Sequence, residues 1–392
     1  MSLTAKVMLG YGHGMAWKIA ALASKLGFVL LVLPKLADGV FAQYAYISSI
    51  ALFASLFLSF GAMDAVPTYV RGKRAIRDRL APLVHATLAG TIAAFIAYSL
   101  GGGLWALGAA AAGCSIAYFF LAGVLRSTEP HLFELISNVP SVAFLVLALV
   151  VPGLTIDLLL VLFVATNMVV LVAVVWWSGL PWRYGRRALA FSRLILAHLL
   201  VQGNAKTLSN MLLLADFRAL ITAPGLLLKT LPSDAIAVAM TVGEAAWQLA
   251  MTVINRNYAA YCAGKGTLRS STLMALSMLA AISLVGALLI LVPVPIRLSR
   301  FEWPLIGWAM IAFAGFAALS ELRAFLWSRG VGDGAILLVQ SAAVLIQVAI
   351  VLALPSGQWI PAAAASLLVL ALVCLAAAGG RGHKKPSTQA AH

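Results

Sequence analysis

Four ionisable side chains stand inside long apolar runs: Lys18, Lys25, Lys206 and Glu244. Lys18 and Lys25 are seven residues apart, about 20° from one helical face. Lys206 lies in the stretch Phe191–Asp216, where His198, Gln202, Lys206, Ser209, Asn210 and Asp216 fall within an arc of about 120° on a helix. Around Glu244, the residues Thr241, Gln248, Thr252 and Asn255 share an arc of about 80°, and Tyr44, Ser48, Ser55 and Ser59 share about 60°. A charge facing lipid costs roughly 2.5–3.5 kcal/mol, and lipid offers no hydrogen bonds, so these stripes must face a polar cavity or one another. Pairing Glu244 with Lys25 or Lys206 would bolt two helix bundles together but leave ammonium groups over. A substrate- or ion-handling cavity accounts for more of the charge.

Ammonium groups meet phosphate as point charges, and serine, threonine, asparagine, glutamine and tyrosine exchange hydrogen bonds with sugar hydroxyls. A net-positive cavity with one carboxylate therefore suits an anionic headgroup rich in hydroxyls. Lys18, Lys25 and Lys206 are the candidate anion ligands. Tyr44, Ser48, Ser55, Ser59, Gln202, Ser209, Asn210, Gln248 and Thr252 are the candidate lining. Glu244 balances charge and could couple the cycle to H+ or Na+. No catalytic residue, metal site or cofactor is expected. His131 and Glu134 are three apart with no third ligand, so they read as a solvated helix face. Cys114, Cys262 and Cys374 lie far apart and form no framework.

The elements that must hold these groups follow from composition. The chain has 392 residues, 63% hydrophobic and 10% charged, with mean hydropathy +1.01. That composition excludes a soluble domain and predicts an all-α polytopic membrane protein embedded in a phospholipid bilayer. Twelve apolar spans are read, of which the fifth, Ser137–Val151, and the tenth, Leu305–Ser320, are the short ones. Tight connections are expected at Gly101–Gly103, Val151–Gly153 and Leu354–Gly357. With both termini cytoplasmic, 19 basic residues fall on the cytoplasmic side against 5 outside, as the positive-inside rule requires. The net charge of +15 thus reflects topology and calls for no nucleic acid. The layout is an N-terminal lobe over 1–178, a basic linker over 179–190, a C-terminal lobe over 191–378 and a basic tail over 379–392. Two six-helix lobes in the same orientation would surround a central cavity.

The segment after the first span reads Pro34-Lys35-Leu36-Ala37-Asp38-Gly39-Val40-Phe41-Ala42-Gln43-Tyr44-Ala45, and the second span closes on Gly61-Ala62-Met63-Asp64-Ala65 and later Arg71. It resembles the opening of the polysaccharide-transporter branch of the multidrug/oligosaccharidyl-lipid/polysaccharide exporter superfamily. The resemblance implies a flippase of the bacterial inner membrane that moves a polyprenyl-diphosphate-linked oligosaccharide (an O-antigen, capsule or exopolysaccharide unit) to the outer leaflet by alternating access. It implies that spans one, two, seven and eight line the cavity and that Lys18 and Lys25, as basic residues on the first span, meet the diphosphate; other glycan-assembly membrane proteins are expected as partners. The alternatives are a cation-coupled multidrug exporter of the same superfamily and, from another class, a membrane-embedded glycan polymerase, ligase or acyltransferase.

Overall fold

The computed structural model describes residues 16–59, 74–181, 186, 189–190, 192–194, 204–262, 264–292, 300–329 and 333–381. These are helical throughout, with no strand among the described residues. Among the described residues, ten stretches are long and apolar enough to cross a membrane. The chain is therefore an all-α multi-pass membrane protein. Its contacts divide it into two units, Met1–Asp234 and Ala235–His392.

The first unit begins with α1, Ala16–Lys35, whose last turns widen to a π-turn and then tighten to a 3-10 turn. Pro34 in that turn cannot extend the ladder, and the chain reverses through Gly39 at φ 81°. Helix α2, Val40–Ser59, follows. Then come α3, Arg74–Ala97, and α4, Gly103–Thr128. The two form one apolar stretch of 46 residues, Leu80–Leu125. As a straight helix this would measure about 70 Å, far more than a ~30 Å hydrocarbon core, so it must fold back. It does so at Gly101 and Gly103, with φ of 98° and 65° that side chains rarely tolerate. The hairpin closes tightly where a Cβ on Gly113 would lie 2.4 Å from Thr91 Oγ1.

Helix α5, Pro130–Val150, starts on a proline, where the missing N–H costs nothing. Its 21 residues extend the short fifth span toward the N-terminus, enough for about 30 Å. Helix α6, Ile156–Trp177, is capped by Thr155, whose Oγ1 accepts from Leu158 N at 3.3 Å. Helix α4 is the spine of this unit. Its Ala110, Ala117, Leu121 and Leu125 are buried with Leu80, Val84 and Leu88 of α3 and Leu171 and Val174 of α6. Helix α7, Asn204–Ala223, packs on α2 and continues through a π-turn, Pro224–Leu228. Outward, Trp105 near the start of α4 and Trp176 and Trp177 at the end of α6 are exposed, as expected of rings at membrane interfaces.

In the second unit, α8 runs Asp234–Cys262, α9 Leu268–Leu291, α10 Trp303–Ser328, α11 Asp333–Ala353 and α12 Trp359–Arg381. Helix α9 opens on a reciprocal cap between Thr267 and Ser270. Helix α10, at 26 residues longer than the tenth span read from sequence, is the buried centre. Small residues let neighbours approach it: a Cβ on Gly286 of α9 would lie 2.6 Å from Gly307 O, and one on Gly307 2.4 Å from Gly286 O. Gly243 of α8 admits the Phe313 ring in the same way. Residues such as Leu284, Leu288, Leu345 and Val369 point outward, as the hydrocarbon phase of a bilayer allows.

Candidate functional site

Helix α1 carries both lysines of the first span. Lys18 Nζ lies 3.5 Å from Glu134 Oε1 of α5, with the side chains 37% and 20% exposed. Glu134 is itself fixed by Asn138 one turn on, whose Nδ2 donates to its Oε2 at 3.1 Å and to its backbone O at 2.8 Å. The partner expected to be a solvated helix face is thus the counter-charge of Lys18. Lys25 is half-buried farther along α1. The His131 side chain lies outside the described residues.

Beyond Lys25, aromatic rings from four helices close together. Phe28 of α1 stacks on Phe144 of α5 at 5.1 Å, and Tyr44 of α2 stacks on Phe144 at 5.8 Å. Phe163 of α6 meets Tyr44 edge-on at 6.4 Å. Offset and edge-on contacts of this kind add attraction beyond burial. Tyr44 is therefore built into the packing of the first unit.

The serines of α2 differ in exposure. Ser48 is half-buried and donates to Ala45 O at 3.1 Å. Ser55 and Ser59 are buried and return their hydroxyls to Leu52 O and Leu56 O of their own helix. Ser209 on α7 is buried. Gln202 and His198, and the side chains of Lys206 and Asn210, lie outside the described residues. On α8, Gln248 Nε2 donates to Glu244 Oε1 at 2.9 Å, and Thr252 donates to Gln248 O at 3.4 Å. The first unit thus holds Lys18, Lys25, Tyr44, Ser48, Ser55, Ser59 and Ser209, and the second holds Glu244, Gln248 and Thr252.

Three carboxylates matter more than their sequence positions suggest. Asp234 caps α2 across the chain: Gly39 N donates to its Oδ2 at 2.9 Å and Ala42 N to its Oδ1 at 2.8 Å. An anion there satisfies orphan donors and meets the positive end of the helix. Asp216 on α7 is buried with Oδ1 unbonded, two residues before Arg218, whose Nη1 donates to Ser49 Oγ of α2 at 3.4 Å. Glu321 of α10 is 0% exposed and receives the Tyr261 hydroxyl at 2.5 Å and Asn257 Nδ2 at 3.2 Å, both from α8. Burial, and then the bond to Glu321, push the Tyr261 phenol up to about 12, so it remains a donor at physiological pH. Their sequence signals are faint. Asp216 shares the Lys206 stripe, Asn257 and Tyr261 are four apart, and Glu134 stands four before Asn138.

Among the described residues no three His, Cys, Asp or Glu side chains converge as a metal site would require. The arrangement defines a multi-pass membrane protein with partly exposed ammonium chemistry on its first helix and buried carboxylates deeper in each unit. No family model, curated protein or solved structure matches the chain.

Proposed function

We propose that this chain is a flippase for a polyprenyl-diphosphate-linked oligosaccharide, with twelve spans, both termini cytoplasmic and a place in the bacterial inner membrane. The observation that carries the reading is the state of Lys18: an ammonium group on an apolar first helix, steered by Glu134 yet still more than a third exposed. A lysine sealed against its partner would have no room to meet a second anion. One held loosely by a carboxylate can exchange that partner for a phosphate, because both are oxyanions met at similar distance. Lys25, seven residues on, and Lys206 would take the diphosphate next, while the tail stays in lipid. Polar side chains such as Ser48, Gln248 and Thr252 would meet the sugars. A pair of phosphate charges cannot cross ~30 Å of hydrocarbon unaided, so a relay of ammonium groups lowers the barrier. Alternating access would then re-expose the headgroup on the far side, with Glu244 balancing charge.

The test is surface glycan in cells that depend on this chain, at matched protein levels. Lys25→Ala and Lys206→Ala are each expected to abolish or strongly reduce it; normal glycan in either variant removes that lysine from the mechanism. A second reading, the cation-coupled multidrug exporter, is favoured by the buried carboxylates Asp216 and Glu321. It predicts that these lysine variants keep full drug efflux while Asp216→Asn loses it.

A further inference from the structure

The second unit contains a carboxyl group that the flippase reading does not use. Glu321 is fully buried on α10, and only one of its oxygens is occupied: Oε1 accepts from Tyr261 and Asn257, whereas Oε2 is buried without a hydrogen-bond partner. Among the described residues, the two side chains that donate to it carry no charge. From α8 come the neutral donors Asn257 and Tyr261, with Tyr258 packed nearby in the same seam. From α9 comes Ser271, whose hydroxyl donates to Glu321 backbone O at 3.5 Å, while Arg269 and the preceding Lys265 are exposed. On α10 itself, the Arg323 guanidinium lies 4.6 Å over the Trp327 ring, and Arg329 lies over Phe325 and donates to Gly266 O at 2.9 Å. Helix α12, also packed on α10, offers Cys374 as its one titratable side chain among those described.

An isolated carboxylate in such a place is costly, and the usual escape is neutralisation by a cation or a proton. A metal ion has too few ligands here, since Oε1 already receives two N–H or O–H donors and, among the described residues, no three His, Cys, Asp or Glu side chains group together. A carboxylic acid fits: its carbonyl oxygen accepts two donors and its hydroxyl oxygen carries the proton. We propose that Glu321 is a proton-binding site, held by Tyr261 and Asn257, on the seam that attaches α8 to α10. The reaction is minimal. One proton from solvent adds to one carboxylate oxygen, and its loss restores the anion.

The site has a short route to water. Tyr261 lies one turn before the exposed loop Gly264–Thr267, and Gly266 is so close that a Cβ there would lie 2.7 Å from the phenol ring. The site also has leverage. The hydrogen bonds that tie α8 to α10 include the two to Glu321 and Trp247 Nε1 to Ser320 Oγ at a long 3.5 Å, beside apolar contact. Loss of the proton places an uncompensated charge in that seam and weakens it.

The experiment does not depend on what is transported. The full chain in lipid nanodiscs is titrated between acid and alkaline pH, and difference infrared spectra are recorded for the carbonyl stretch of protonated carboxyl groups. Wild type is expected to show a titrating acid band that is lost in Glu321→Gln, which keeps size and hydrogen bonding, and retained in Asp216→Asn. Tyr261→Phe keeps the carboxyl but removes a donor, so the band is expected to remain and move to higher frequency. Identical difference spectra for wild type and Glu321→Gln overturn the proposal. So does a band that sodium removes at constant pH, which would make this a metal-ion site. Should Glu321→Gln fail to accumulate, Tyr261→Phe decides alone: a band that does not move overturns the assignment.

Discussion

Exchanging the charges of Lys18 and Glu134 separates a structural pair from a working ammonium group. At 3.5 Å the unscreened attraction in a medium of effective dielectric 20 is about 5 kcal/mol. Lys18 is 37% exposed and Glu134 20%, so solvent and the entropy of two long side chains remove most of that. The net coupling expected is about 1 kcal/mol, roughly a fivefold change in the folded-to-unfolded ratio. Each single reversal, Lys18→Glu or Glu134→Lys, sets like charges side by side and is expected to lower stability by about 1–2 kcal/mol. The double reversal restores the pair and with it most of the stability, measured as reversible unfolding in mixed micelles. Function should divide differently. If the ammonium group must project from α1 to meet phosphate, the double variant folds normally yet exports no glycan. Full glycan export by the double variant would refute the assignment and leave the pair a fastener between α1 and α5.

Removing the carboxylate cap in Asp234→Ala frees the N–H groups of Gly39 and Ala42 and is expected to cost about 2 kcal/mol, with Asp234→Asn losing about half as much; unchanged unfolding in both would show that α2 does not need the cap. Gly307→Leu drives a side chain into Gly286 O and should destabilise the second unit by about 1–3 kcal/mol, seen as earlier thermal aggregation. Gly90→Ala, where a Cβ meets nothing within 4 Å, serves as the contrasting case and should be neutral or slightly stabilising. Equal behaviour of these two glycine variants would contradict the close approach of α9 to α10.

Much of the helical layout was legible in one dimension. Apolar length and composition define a multi-pass membrane protein, and the breaks at Gly101–Gly103, Pro152–Gly153 and Pro355–Gly357 fall between helices because glycine and proline act on the backbone where they stand. The 3.6-residue period correctly put Glu244 beside Gln248, since both lie on one helix. It had no means of predicting that Glu134 would meet Lys18, that Asp234 would cap a helix 192 residues away, or that Glu321 would receive donors 60 and 64 positions earlier. Nor did it distinguish Ser48 from Ser55 and Ser59, which share its stripe but are buried. Periodicity orders side chains around one axis. Which neighbour each face meets, and at what depth, is set by how small residues such as Gly113, Gly243 and Gly307 let helices close on one another, and that is a property of the packed chain alone.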